Sequence, residues 1–315
     1  MLKSEMIKRN NHYIWAHYLR GWSKNNVDIY RRTRKGVSSY PVQGLACEMD
    51  FYKISTLNDA DVEFIQRWIF KADADLQEFH NAFLEKMIEH SCRISVLTEE
   101  KDIRKRELLL SNTIENIHEK IENDVKPILD ALRNGKLSIL NSIENRHNFH
   151  SYIGHQFTRT KFFRDTFAQA MKLSGDSAFD LTNKNWWFLS IIFGVNVGCS
   201  IDRFYYRKNV VWLVNKTDTP FLTSDNPVIN VHPDVLDCEP NGVPPENTDF
   251  YFPISPTMAY MINDSDMYGV GVMEVDVSFA ELLNRNILLR SDQTVFGDTA
   301  DIIKKTKVPK PQKTQ

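Results

Sequence analysis

Several polar side chains suited to acid–base or phosphate chemistry lie in otherwise apolar or aromatic stretches of this sequence. They are Asn11, His12, Arg20, Glu48, Asp50, Gln156, Arg159, Asp225 and Asn226. A histidine titrates near neutral pH and can act as a general base. An arginine guanidinium can hold a phosphate or a carboxylate through two parallel hydrogen bonds. These residue types therefore favour chemistry on a phosphate-containing substrate.

The first hypothesis is a hydrolase that acts on phosphodiester bonds, with nucleic acid or a nucleotide as its substrate. Its predicted catalytic residues are His12, Arg20, Glu48, Asp50, Arg159 and Asp225. Glu48 and Asp225 would hold Mg²⁺ or Mn²⁺, because these ions prefer hard oxygen ligands. His12 would activate a water molecule, and the arginines would bind the phosphate. Asn11, Gln156 and Asn226 would contact the ligand.

The second hypothesis is a non-catalytic module that binds a small anionic ligand or a protein partner through the same residues. Neighbouring aromatic side chains could then stack on a base or a sugar. Purely structural roles are also open. Asp225 and Asn226 stand in a run typical of turns. Arg159 could form a buried ion pair with Glu48 or Asp225, and His12 could serve only as a hydrogen-bonding residue.

Bulk properties exclude several classes of protein. The chain has 315 residues and a formal net charge of -2, so it has no global attraction to nucleic acid or to an anionic membrane. Local basic clusters remain, at 31–35 and 101–106, which could be solvated faces or phosphate contacts. Signatures of P-loop and dinucleotide-binding proteins are absent. The scattered cysteines and the polar start predict a cytoplasmic protein with reduced thiols and no membrane segment.

The periodicity of apolar residues predicts an α+β fold with a helical, bundle-like middle over about 61–200. Long amphipathic helices are expected from Asp61 to Met87, around Leu110 to Leu132 and over 144–171, and Asn134-Gly135 is the expected stop of the second. The run from Trp186 to Cys199 predicts a buried core helix that is too short to cross a bilayer. His147 and His150 have a possible metal spacing, although no acidic or cysteine partner with metal-site spacing adjoins them.

Parts that contain β-strands are expected on both sides of the helices, at about 11–58 and 208–298, and packed together. The first of them includes a hairpin from Val27 to Val42 with its turn at Arg34–Gly36. Residues 1–302 are predicted to form one globular domain. Residues 303–315 are predicted to be a disordered tail, because the segment from Lys304 to Gln315 is rich in Lys, Pro, Thr and Gln and has no apolar face.

Short motifs in a fixed order resemble those of the domain of unknown function 4238 family, which is found mainly in bacteria. They are Asn11-His12-Tyr13 with Tyr18-Leu19-Arg20, Asp50-Phe51-Tyr52, Gln156 with Arg159-Thr160, Phe221 to Val228, Tyr251 to Pro256, and Leu283-Asn284-Arg285. The family usually carries a proline between its first two motifs, where Trp15-Ala16 stand here. The resemblance implies a shared fold and a shared site, and it brings no established activity.

Overall fold

The computed structural model describes residues 6–236 and 245–307, and this part of the chain has an α+β fold, as the sequence predicts. The N-terminal elements are β1 (Asn10–His12), α1 (Ala16–Leu19), β2 (Asp28–Thr33), β3 (Gly36–Pro41) and β4 (Cys47–Met49). The predicted hairpin is confirmed as β2 and β3. Gly36 follows its turn with φ 116°, a conformation that residues with a β-carbon rarely adopt.

The helical middle begins with α2 and α3, where the sequence predicted one long helix. The middle comprises α2 (Asp59–Ile69), α3 (Ala74–Ser95), α4 (Ile103–Arg133), α5 (Ile143–Thr158), α6 (Lys161–Lys172), α7 (Asp176–Lys184) and α8 (Trp186–Phe204). Gln77 donates to the carbonyl oxygens of Phe70 and Ala72, which stabilises the break between α2 and α3. Asn58 caps α2, in a capping box with Asp61.

The predicted helix over 144–171 is also two helices. It breaks at Arg159 and Thr160, and the Thr160 hydroxyl caps α6 by accepting a hydrogen bond from the Phe163 N–H. Helix α4 runs through Pro127 without ending. It stops where predicted, at Arg133, and Gly135 follows with φ 72°.

The C-terminal part contributes strands to two sheets. Its elements are β5 (Asn209–Asn215), β6 (Thr223–Ser224), β7 (Ile229–Asn230), α9 (Pro233–Leu236), β8 (Asp249–Ser255), β9 (Met258–Asn263), β10 (Gly271–Val275), α10 (Val277–Arg290), β11 (Val295–Gly297) and α11 (Ala300–Lys305). Helix α11 covers 300–305, where the disordered tail was predicted to begin at 303. Ile303 is 1% exposed, so the prediction is wrong at that point. Residues 308–315 lie outside the described residues.

Three sheets form within residues 6–236 and 245–307. Strands β1 and β4 make an antiparallel pair, and a five-stranded sheet has the order β10-β5-β9-β8-β7. A four-stranded sheet has the order β3-β2-β11-β6. In that sheet Phe296 of β11 lies opposite Arg31 of β2 and Thr223 of β6. N-terminal and C-terminal strands therefore share one sheet, which is the packing that the sequence predicted.

Helices α5 and α8 pack at very close range through glycines. A β-carbon at Gly154 would lie 2.3 Å from the carbonyl oxygen of Gly194 and 2.4 Å from the backbone nitrogen of Gly198. Helix α8 with its following turn, Trp186–Arg207, is the single described helix long and apolar enough to cross a membrane, and 50% of its apolar window is buried inside the protein. It is longer than predicted, and it packs against α5 as a core helix.

Candidate functional site

The pairing of β1 with β4 brings together predicted residues from two motifs. His12 lies opposite Cys47, and Asn11 lies opposite Glu48. Directly opposed residues of an antiparallel pair point to the same face of the ladder. The neighbouring residue Asp50 has φ 59° and leaves the strand. Its carboxylate pairs with the guanidinium of Arg9, so it joins a different contact from that of Glu48.

A backbone contact fixes the tautomer of the neutral His12 ring. Its Nε2 lies 3.0 Å from the carbonyl oxygen of Gln43. Because a carbonyl oxygen only accepts hydrogen bonds, Nε2 carries a proton, and in the neutral ring the lone pair is on Nδ1. Burial lowers the pKa of His12, the hydrogen bond to Gln43 opposes that effect, and the charges of Arg159 and Arg20 lower the pKa further. The lowered pKa favours the neutral imidazole at pH 7.

Arg20 is a positive charge without a counter-ion beside His12. It ends α1, and its side chain is partly exposed. No other residue of the described chain forms a hydrogen bond or an ion pair with its guanidinium. Its guanidinium carries five N–H donors of fixed geometry, and its charge lowers the pKa of His12.

Glu48 is engaged with two cations of α6. Its carboxylate oxygens lie 3.0 Å from Lys161 Nζ and 3.5 Å from Arg164 Nη1. Burial alone would raise the pKa of Glu48. The hydrogen bond from Lys161 and the charge of Arg164 outweigh burial, and its pKa lies below the usual value. Glu48 is therefore an ionised carboxylate that bridges β4 and α6.

Asp225 holds the loop between α10 and β11. Its Oδ1 accepts a hydrogen bond from the backbone N–H of Asp292 at 2.9 Å, and its Oδ2 accepts from those of Gln293 and Thr294 at 2.8 Å each. Burial nevertheless raises the pKa of Asp225 to about 6. Asn226 donates from Nδ2 to the carbonyl oxygen of Arg290 at 2.9 Å. Both side chains therefore bind backbone groups of the 290–294 segment.

Arg159 forms a buried ion pair, but its partner is neither Glu48 nor Asp225. Its Nη2 lies 2.7 Å from Oε1 of Glu122 on α4. Burial opposes its charge, yet Glu122 raises the pKa of Arg159 above the ordinary value. Gln156 accepts from the same guanidinium at 3.3 Å and donates to the carbonyl oxygen of Tyr13 at 3.0 Å. Arg159 and Gln156 thereby connect α5 to the segment that carries His12.

Helix α4 contributes ionisable residues that the sequence analysis missed. Glu115, His118 and Glu122 follow one another at steps of three and four, so they share one face of the helix. The Nδ2 of Asn11 donates to Oε2 of Glu115 at 3.1 Å. Burial and the charge of Glu122 raise the pKa of Glu115 to about 7. The signal available in the sequence was this polar series running beside the apolar stripe of α4.

Two neutral histidines lie against this cluster. His118 is 2% exposed, and neither of its ring nitrogens has a hydrogen-bond partner in the described chain. Burial lowers its pKa well below the usual value, and burial lowers the pKa of His155 to about 3. Their ring centroids are 6.0 Å apart. Both rings are therefore uncharged members of the protein interior at neutral pH.

The pKa of Tyr13 is affected by charged residues from both ends of the chain. Burial raises its pKa, and the charges of Asp225, Asp292 and Glu48 add to that increase. The positive charges of Arg20 and Arg159 likewise act on the neighbouring His12 and lower its pKa. The N-terminal and C-terminal motifs thus meet around the His12–Tyr13 dipeptide. Asp50 is the predicted residue whose side chain is held elsewhere, by Arg9.

The donor set does not fit the Mg²⁺ or Mn²⁺ site that was predicted from Glu48 and Asp225. Glu48 is paired with Lys161 and Arg164, and Asp225 is 3% exposed and accepts from three backbone N–H groups. Within residues 6–236 and 245–307, no three or more His, Cys, Asp or Glu side chains are grouped so that they could hold a metal ion. We therefore derive no step through a metal.

His147 and His150 have a different arrangement from the metal site considered for them. Asp202 of α8 accepts from His147 Nε2 at 2.6 Å and from His150 Nδ1 at 2.9 Å. The Nε2 of His150 lies 3.0 Å from the hydroxyl oxygen of Tyr260. Asp202, His150 and Tyr260 therefore form a hydrogen-bonded chain from α8 through α5 to β9. The acidic partner comes from a distant part of the sequence.

The described residues form an α+β protein in which a helical middle is flanked by N-terminal and C-terminal parts that contain strands. The family model described as Protein of unknown function (DUF4238) matches residues 10–185 and 200–301. The chain belongs to this family. No curated protein and no solved structure matches the chain.

Proposed function

We propose that this protein is a hydrolase that cleaves phosphodiester bonds by a His12-dependent, metal-independent route. The observation that carries the proposal is a His12 ring whose Nε2 lies against the carbonyl oxygen of Gln43 and whose pKa is lowered, within electrostatic reach of an Arg20 guanidinium that has no ion pair in the described chain. A general base must be uncharged at the working pH and must present a lone pair to the nucleophile. The lowered pKa of His12 supports the first condition, and in the proposed reaction its Nδ1 supplies the lone pair.

In the proposed reaction Nδ1 of His12 removes a proton from a water molecule. The water oxygen forms a bond to phosphorus, and the bond from phosphorus to the leaving oxygen breaks. The leaving oxygen takes up a proton from solvent, and His12 returns its own proton to solvent. Arg20 stabilises the charge that develops on the non-bridging oxygens, because a guanidinium can bind two of them together.

Other residues of this neighbourhood support the site rather than react. Lys161 and Arg164 add positive charge beside Glu48, and side-chain exposures of 29% and 19% leave them accessible to a ligand. Gln156 and Arg159 hold the Tyr13 segment on α5. Such fixed support lets a catalytic group keep its orientation without reorganisation.

The test uses a chromogenic phosphodiester and labelled oligonucleotides, each with and without chelator. The variant His12→Gln keeps a donor that can reach Gln43 and removes the base, so we expect kcat to fall by about 10² to 10⁴-fold. Arg20→Ala should lower kcat/KM. Arg93, an exposed arginine of α3, is the matched control, and Arg93→Ala should retain parental activity.

The pH profile provides an independent check. Because the pKa of His12 is lowered, kcat/KM should rise with pH and level off below about 6.5, the ordinary pKa of histidine. Undiminished turnover in His12→Gln, or turnover that disappears in chelator, would contradict the proposal.

A non-catalytic anion-binding module is the second candidate, and one observation favours it. Glu48, Asp225 and Arg159 are each engaged by other groups of the protein, while Arg20 is not. Binding of phosphate-containing ligands that Arg20→Ala abolishes, without turnover of any substrate, would establish this function instead.

A further inference from the structure

The β2–β3 hairpin carries positive charge that no carboxylate of the described chain neutralises by an ion pair. Its cations are Arg31, Arg32, Arg34 and Lys35, and Asp28 is the one acidic residue between 28 and 41. Arg34 and Lys35 are exposed at the turn. The protein as a whole has a net charge of -2. The hairpin is thus a local basic surface on a slightly acidic protein.

One of these cations, Arg31, stacks on an aromatic ring of the same hairpin. The guanidinium carbon of Arg31 lies 3.9 Å from the centroid of the Tyr40 ring. Tyr40 is 38% exposed, so part of its ring surface is accessible to solvent. A guanidinium stacked on an aromatic ring presents a flat, cationic surface to a planar ligand. Nucleic-acid bases are ligands of that shape.

The Arg31–Tyr40 pair is continuous with the His12 site. The Tyr40 ring packs on Gly44, where a β-carbon would lie 2.8 Å from the ring. The preceding residue, Gln43, supplies the carbonyl oxygen that binds His12. A short path of direct contacts therefore leads from the stacked pair to the proposed base. Arg34, at the hairpin turn, lies within electrostatic reach of Asp292.

We propose that the hairpin binds a single-stranded nucleic acid and directs it to the His12 site. Arg34 and Lys35 contact backbone phosphates, and an unpaired base stacks on the Arg31–Tyr40 pair. A duplex keeps its bases stacked on one another, so this surface selects single strands. The inference rests on the proposed function, since it names the substrate class of the same site.

The experiment measures binding of labelled single-stranded DNA and RNA, about 12 nucleotides long, within the usual site size of such proteins. Full-length His12→Gln protein is used, so that the strand is not cut. The double variant R34A/K35A should weaken binding and reduce the slope of log affinity against log salt by about 1.4. Tyr40→Ala should weaken binding by roughly 10- to 100-fold.

The matched control is K86A/R93A, which removes the same charge from exposed positions of α3 and should leave the affinity and the salt slope unchanged. An equal loss in this control would overturn the inference. So would affinity that is independent of salt, or binding of an acidic peptide in preference to the oligonucleotide. Separate arms with DNA and RNA identify which strand is preferred.

The two proposals can fail separately. If the wild-type protein hydrolyses the small chromogenic diester through His12 but binds no oligonucleotide, the nucleic-acid inference alone is wrong. If the oligonucleotide binds through the hairpin but no substrate is cleaved, the hydrolase proposal alone is wrong.

Discussion

Glu115 is a carboxyl group held inside the helical part among other titratable groups. Glu122, His118 and Arg159 lie in the same cluster, and Asn11 donates to Glu115 from β1. Burial raises the pKa of Glu115 to about 7. The folded protein therefore binds a proton at this residue over a pH range in which the unfolded chain has already released it.

This shift makes stability depend on pH. The folded-state pKa is raised, so the contribution of Glu115 is fully present below its unfolded pKa and is lost as pH rises towards about 7. We expect the free energy of unfolding to fall by up to about 3 kcal/mol between pH 5 and pH 8 through this group. The variant Glu115→Gln should lack that decrease in urea unfolding at several pH values.

Glu85→Gln is the control for this experiment, because Glu85 is exposed on α3. It should retain the parental pH dependence. Parallel pH profiles for the parent and Glu115→Gln would show that Glu115 is ionised in the folded protein at neutral pH.

At the scale of elements, the contact between α5 and α8 depends on glycine. The site residues Gln156 and Arg159 lie near the end of α5, so the position of this helix sets where they meet the N-terminal segment. Gly154 approaches backbone atoms of α8, which cannot rotate away as a side chain could. The helix pair therefore tolerates no side chain at this crossing.

Gly154→Ala should lower the free energy of unfolding by at least about 2 kcal/mol, because the added methyl group forces the two helices apart. Denaturant unfolding of the purified variant measures this. Asn148→Ala, a partly exposed position on the same helix, should change stability by less than about 0.5 kcal/mol. Equal stability of the two variants would contradict the close packing at Gly154.

At the scale of the whole molecule, the four-stranded sheet joins the two ends of the chain. Strand β11 lies between β2 and β6, and Phe296 of β11 is 1% exposed in the same core cluster as Trp22 and Phe149. The hairpin that we propose to bind nucleic acid therefore depends for its position on a strand almost at the other end of the sequence.

Phe296→Ala should cost about 3–5 kcal/mol, the usual loss for a buried phenylalanine. Because Phe296 contributes to a core shared by both ends and by the helices, far-ultraviolet circular dichroism and tryptophan fluorescence should report one common, shifted transition. Val272→Ala, at an exposed position of edge strand β10, is the control. Separate transitions in the parent protein would show that the two ends fold independently.

Local pattern was sufficient for much of the secondary structure. The spacing of apolar residues predicted α4 and its end at Asn134–Gly135, and alternation with a turn predicted the β2–β3 hairpin. The ordered motifs indicated the family to which the chain belongs. Each of these features depends on residues close together in sequence, or on their order along it.

Helix breaks were not predictable in the same way. The apolar stripe continues across the break between α2 and α3, and again across the break at Arg159 and Thr160. A periodic stripe shows which face is buried, but it does not show where the axis changes direction. That direction is set by packing against other elements, which the local sequence does not contain.

The partners of the site residues were decided by the tertiary structure alone. The sequence by itself identified Arg159, Asp225 and Glu48 as polar residues of interest, and it did not determine that Arg159 pairs with Glu122, Asp225 with the 292–294 backbone and Glu48 with Lys161. Each of these contacts joins residues far apart in the chain. Only folding brings such groups within a few ångströms, and the strength of a hydrogen bond or an ion pair depends on that distance.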